Sequence, residues 1–200
     1  MAHIIAPADP AYDSQFAAVG RLVDKWAQLE FAIDQAIWQL ADVEQMLGAC
    51  ITAQLIGVNG RLQALRSLLQ ARGASEPTIK KVGTFAGSLS TLQNDRHRAA
   101  HDPRMVRTAT GNLERLQITA KNQVVFGFQP EEVDSLSATT AQIAAKVVEF
   151  GELFTAIAAE LNALPGPAQP TLRKIVPVKK DASDQTTTAA PPDNPLSPRR

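Results

Sequence analysis

Two of the chain's three histidines, His97 and His101, fall in the segment Arg96-His97-Arg98-Ala99-Ala100-His101-Asp102-Pro103. The twelve residues from Arg96 to Arg107 also carry four arginines (96, 98, 104 and 107), a fifth of the chain's 20 Lys and Arg. Arginine offers phosphate oxygens a planar bidentate fork. Histidine titrates near neutrality and can pass a proton. Together they are the parts for phosphate chemistry without a metal, with Arg96, His97 and His101 as candidate catalytic groups. Arg96 and His101 are five residues apart, displaced around a regular helix, yet near a fraying C-terminus both can converge on one ligand. Arg98, Arg104, Arg107 and Asp102 are candidate substrate contacts. Glu30 joins them if the cluster packs on the first long helix.

The same residues admit a purely structural reading. The helix dipole favours basic residues in a last turn by about 0.3 to 1 kcal/mol each, and Asp95 and Asp102 can pair with them as a solvated surface cluster. A metal reading has less to stand on. His97 and His101 share a helix face with Asp102 nearby, but the third histidine is the distant His3 and no zincin-type glutamate spacing occurs. Neither a metal nor a cofactor is expected. No GxGxxG, GxxxxGK[ST] or GxSxG pattern is present. Cys50 sits among small and apolar residues and reads as a packed core thiol. Trp26 and Trp38 fit helix faces as core residues, and Glu30, Asp34 and Glu44 read as a solvated face.

Helices must position this cluster. Val19, Leu22, Trp26, Leu29, Ile33, Ala36, Leu40, Val43 and Leu47 recur at alternating spacings of three and four, which predicts a long amphipathic helix. A second seam runs through Val133, Leu136, Thr140, Ile143, Val147, Phe150, Phe154, Ile157 and Leu161. Its helix is predicted to open at Pro130-Glu131-Glu132, with proline at the first helical position and carboxylates at the positive end. Between the two lie shorter helical stretches at 44–56, 59–72 and 76–101, the last stopped by Pro103. Residues 104–128 alternate with period two around Gly111-Asn112 and Lys121-Asn122, which predicts a three-stranded meander.

The expectation is an all-α antiparallel helical bundle with a small inserted antiparallel β-meander before the last long helix. It comprises an N-terminal arm at 1–12, a helical domain at 13–164 and a tail at 165–200. Eight of the 13 prolines lie in that tail, and residues 181–200 hold one large aliphatic side chain, Leu196. Such a segment buries too little apolar surface to offset its ordering entropy, so it reads as disordered.

Charge narrows the function classes. With 20 Lys+Arg against 20 Asp+Glu, the 200-residue chain has a formal net charge of zero, which argues against a protein that coats nucleic acid by bulk charge. Residues 171–200 hold six basic and three acidic side chains, leaving the body mildly acidic. The four-arginine run is therefore not general basicity. A lone cysteine excludes a disulfide scaffold. No membrane span is readable, and MAHIIAPADP lacks the basic start and apolar core of a secretory signal, so a cytoplasmic location is expected.

The segment Arg96 to His101 resembles the R-x4-6-H signature of HEPN domains (higher eukaryotes and prokaryotes nucleotide-binding), in the four-residue-spacer form, with His97 in the polar slot. Trp26-Ala27-Gln28-Leu29-Glu30, Ile37-Trp38-Gln39-Leu40, His101-Asp102-Pro103 and the Val125-Phe126-Gly127-Phe128 hairpin extend the resemblance over roughly residues 14 to 163. It implies a HEPN-like helical bundle acting as a metal-independent ribonuclease, or a relative that only binds RNA or nucleotide. Two protomers would pair so that their motifs face one cleft. On that resemblance His101 helps the ribose 2′-oxygen attack phosphorus, Arg96 binds the phosphate, and His97 orients the substrate or His101. The alternative is a noncatalytic helical module that dimerises or binds RNA, nucleotide or a protein. In the family's toxin setting the further partner is an antitoxin or regulatory protein. The tyrosine that such toxins often carry two residues after the histidine is Pro103 here, and the only tyrosine is Tyr12. Adenylylation at that position has no target.

Overall fold

The computed structural model describes residues 2–4, 10–107, 111–120 and 124–164. The expected tail at 165–200 and the Lys121-Asn122 turn lie outside them. Helix α1 spans Asp13–Ala41 and is shorter than its seam implies, because Asp42 adopts a left-handed conformation (φ 56°). Its N–H bonds Gln39 O, and that of Val43 bonds Trp38 O, which closes the helix and turns the chain. Val43 and Leu47 therefore lie beyond α1. Helix α2 (Gln45–Thr52) folds back on it, and Trp38 Nε1 donates to Thr52 Oγ1 at 3.2 Å. A Cβ at Gly48 would come within 2.5 Å of the Trp38 ring, so only glycine allows this approach.

Helices α3 (Gly57–Ala71), α4 (Glu76–Ser88) and α5 (Ser90–His101) follow. The predicted helix at 76–101 is thus two, separated at the fully buried Leu89. Pro103 ends α5 as expected, with Asp102 extended. Strands β2 (Arg104–Arg107), β3 (Leu113–Ala120) and β4 (Val124–Pro130) form the antiparallel meander. The sheet has a fourth strand within the expected N-terminal arm: β1 (Ala2–Ile4) pairs with β2, giving the order β1-β2-β3-β4. Pro130 closes β4 instead of opening a helix, and α6 (Val133–Ala163) starts after Glu132.

Most positions of the two seams face the core of the chain. Leu22, Trp26, Leu29 and Ile33 of α1 are buried with Leu136, Ile143, Phe150 and Ile157 of α6, and Val58, Leu62, Leu65 and Leu69 of α3 complete the cluster. The two long helices also run in the same direction. Gln15 Nε2 donates to Glu131 O at one end, while the α3–α4 turn meets both at the other, through Arg72 Nε to Leu40 O and through Gly73 beside Leu164. The pair α4–α5 descends between those ends, so antiparallel packing holds for α4–α5 against the long helices but not between α1 and α6. Among the described residues no helix is long and apolar enough to cross a membrane.

Candidate functional site

Leading into and along α5, Leu89, Leu92, Arg96 and Ala99 follow a spacing of three, four and three. Leu89, Leu92 and Ala99 are buried. Arg96, half-buried, therefore takes a place in that register where an apolar residue is ordinary, and it shares a pocket with Trp26 and Glu30 of α1. Its Nε is buried, and among the described residues it has no hydrogen-bond partner and the side chain forms no ion pair. An unpaired buried donor costs about 1 to 3 kcal/mol, so the position is held at a stability cost.

The arginine opens on a pocket of about 260 Å³ where α5 passes α1 and the start of α3, lined by Trp26, Glu30, Gly57, Val58, Gln93, Asn94, Arg96 and His97. Trp26 is buried, and its Nε1 donates to Glu30 Oε1 at 3.0 Å one turn on. Gly57 begins α3 with φ 65°, a conformation that favours glycine. The first turn of α3 has no side-chain cap, so its N–H groups add partial positive charge to this wall. Arg61 fixes the turn from behind: its Nε pairs with Asp34 Oδ1 at 2.8 Å and its Nη1 donates to Leu55 O at 3.0 Å. Asp34 is buried in this pair, a correction to the solvated face expected for it.

The arginine-histidine cluster is divided by the fold. His97 lines the pocket, and His101, one turn later, stands outside its wall with the ring centroids 4.6 Å apart and the planes at 45°. Both histidines and Arg98 are exposed. Glu30 lies in the same pocket as Arg96 and His97. The remaining candidates turn the other way. Arg104 donates from Nε to Glu131 Oε2 and from Nη1 to Ala99 O, each at 2.8 Å. Asp102 accepts from Arg115 Nη1 at 2.6 Å, and Arg115 Nε lies 3.2 Å from Glu131 Oε1. This chain of four charges, with side chains 8 to 19% exposed, ties the end of α5 to the meander and to the start of α6. Arg107, half exposed, lies 3.7 Å from Glu114. Asp102 and Arg104 thus hold the helix end that presents the histidines, and each already has an intramolecular partner.

Sequence reasoning missed Trp26, Gln93, Asn94 and the start of α3 as pocket walls. One signal was available: Arg96 interrupts the apolar spacing Leu89, Leu92, Ala99. Nothing in the sequence brings residue 57 to residue 94. Cys50 is exposed and not in the core: it lies on the outward face of the short α2, whose buried positions are Gly48 and Thr52. Among the described residues no group of three or more His, Cys, Asp or Glu is arranged to hold a metal ion. Comparison with family models, curated proteins and solved structures finds no match to this chain.

Proposed function

We propose that the chain is a HEPN-like, metal-independent ribonuclease of the cytoplasm that cleaves RNA by attack of a ribose 2′-hydroxyl, working as a homodimer with the site composed across two copies. The observation that carries this reading is the unpartnered, buried Nε of Arg96 in a polar pocket, with His97 on its wall and the His101 ring 4.6 Å beyond. Arg96 and the first turn of α3 offer charge and N–H donors to a phosphodiester. His101 takes the 2′-hydroxyl proton as the bond from O2′ to phosphorus forms. The bond from phosphorus to O5′ breaks, O5′ takes up a proton, and a 2′,3′-cyclic phosphate remains. His97 orients His101 or the substrate. A positioned general base contributes on the order of 10² to 10⁴ in rate, and electrostatic stabilisation of the phosphorane oxygens about 10² to 10³.

A second reading has an observation of its own: His101 lies outside the pocket that Arg96 and His97 line. If no second copy brings another histidine to that mouth, the module binds RNA or nucleotide without cutting it. Incubating purified protein and His101→Ala with single-stranded and structured RNA in excess EDTA separates the two. The nuclease reading expects cyclic-phosphate ends from wild type alone. Intact RNA with both proteins, together with retained binding, favours the noncatalytic module.

A further inference from the structure

The pocket holds more hydrogen-bonding capacity than a phosphate uses. The bond from Trp26 Nε1 pins the Glu30 carboxylate on one wall and leaves Oε2 without a hydrogen bond among the described residues. The side-chain amides of Gln93 and Asn94, on the same pocket, likewise form none among the described residues. A carboxylate is acceptor-only and can take two neighbouring N–H donors, whereas an amide donates as well. The volume decides the size of the guest. About 260 Å³ lies below the roughly 300 to 1,000 Å³ of pockets that bury drug-sized ligands, and suits a single ring system next to Arg96.

We infer that this pocket is a base-reading subsite selective for guanine, an inference that rests on the phosphodiester reading above. On its pairing edge guanine alone among the four RNA bases presents two adjacent donors, N1–H and the exocyclic amine, beside the acceptor O6. Glu30 accepts the two donors and an amide of Gln93 or Asn94 donates to O6. Adenine and cytosine place a ring-nitrogen lone pair next to their single amine, so the carboxylate meets a lone pair. Uracil offers one N–H between two carbonyls. A site built to pair one base rejects another strongly, because its own polar groups are left unpaired. Unstacked bases of single-stranded RNA are read on this edge. Trp26 is 2% exposed, so it orients the carboxylate and does not stack on the guest.

The test is isothermal titration of the full chain with the 5′-monophosphates of guanosine, inosine, adenosine, cytidine and uridine. All carry the same phosphate, so the contribution of Arg96 cancels in the ranking. Guanosine monophosphate is expected to bind at least about tenfold more tightly than the adenosine, cytidine and uridine compounds. Inosine monophosphate, which keeps N1–H and lacks the exocyclic amine, should fall between. Glu30→Gln keeps an acceptor for Trp26 Nε1 and should erase the preference without moving the thermal midpoint, and Asn94→Ala, at an exposed position, should weaken it. The wild-type ranking needs no variant. Equal affinities, no binding of any of the five at millimolar concentration, or an unchanged preference in Glu30→Gln would overturn the inference. RNA cutting is read separately. Cutting without regard to base overturns the guanine subsite and leaves the nuclease reading standing. Glu30-dependent guanosine monophosphate binding with no cutting keeps the subsite and removes the nuclease.

Discussion

His97 and His101 stand one turn apart on α5 with their rings 4.6 Å from each other, and only His97 touches the pocket that Arg96 enters. The pair spans the boundary between a polar cavity and open surface. Loss of the two should therefore differ in kind. His101→Ala is expected to lower the cleavage rate by about 10² to 10⁴ with little change in RNA affinity. His97→Ala should weaken binding as well. Single-turnover rates and equilibrium binding measured on both variants check this, and identical profiles would contradict it.

Arg96 separates stability from activity. Its buried Nε lacks a partner among the described residues, and exchanging an unsatisfied polar group for an apolar one of similar length is neutral or stabilising. Arg96→Met is expected to hold or raise the unfolding midpoint while cutting activity falls by about 10² to 10³. A variant that unfolds would mean that the guanidinium is structural.

Glu131 behaves in the opposite way. It accepts from Arg104 and lies 3.2 Å from Arg115, with all three side chains largely withdrawn from water. Removing one partner of a buried pair leaves uncompensated charge, so Glu131→Ala should destabilise the fold by about 3 kcal/mol. Urea unfolding measures the loss. The same substitution should loosen the end of α5, visible as faster amide exchange at residues 99–101.

How much was legible in advance follows from the range of the interactions. The seams of α1 and α6 were readable because a 3-4 repeat of apolar residues is a local signal, as was the stop of α5 before Pro103. Proline at 130 was misread because it suits the end of an edge strand as well as a helix start. Strand β1 was missed because three residues carry no period. Asp34 looked solvent-facing until Arg61, 27 residues away, was placed against it. The pocket itself is a meeting of residues 26, 57 and 94, which depends on long-range packing and leaves no local mark except an arginine in an apolar register.

A pH dependence of folding arises away from the pocket. Glu160, near the end of α6, accepts from Thr78 Oγ1 and from the Ser75 N–H at 2.6 Å, capping α4 from another helix. Those bonds, Thr78 first, hold its carboxyl below the ordinary value of 4.5. A carboxyl lowered on folding stabilises above the unfolded value and loses that contribution as pH falls through the folded one. The stability gap between wild type and Glu160→Gln should be full near neutrality and close progressively below pH 4.5. Urea titrations across that window test it, and a gap independent of pH would contradict the assignment.

The most direct measurement is cleavage of a defined single-stranded RNA in excess EDTA by wild type, Arg96→Met and His101→Ala at equal concentrations of folded protein, with product ends identified. The expected result is 2′,3′-cyclic phosphate ends from wild type and almost none from either variant. Intact RNA with wild type, or equal cutting by all three, would contradict it.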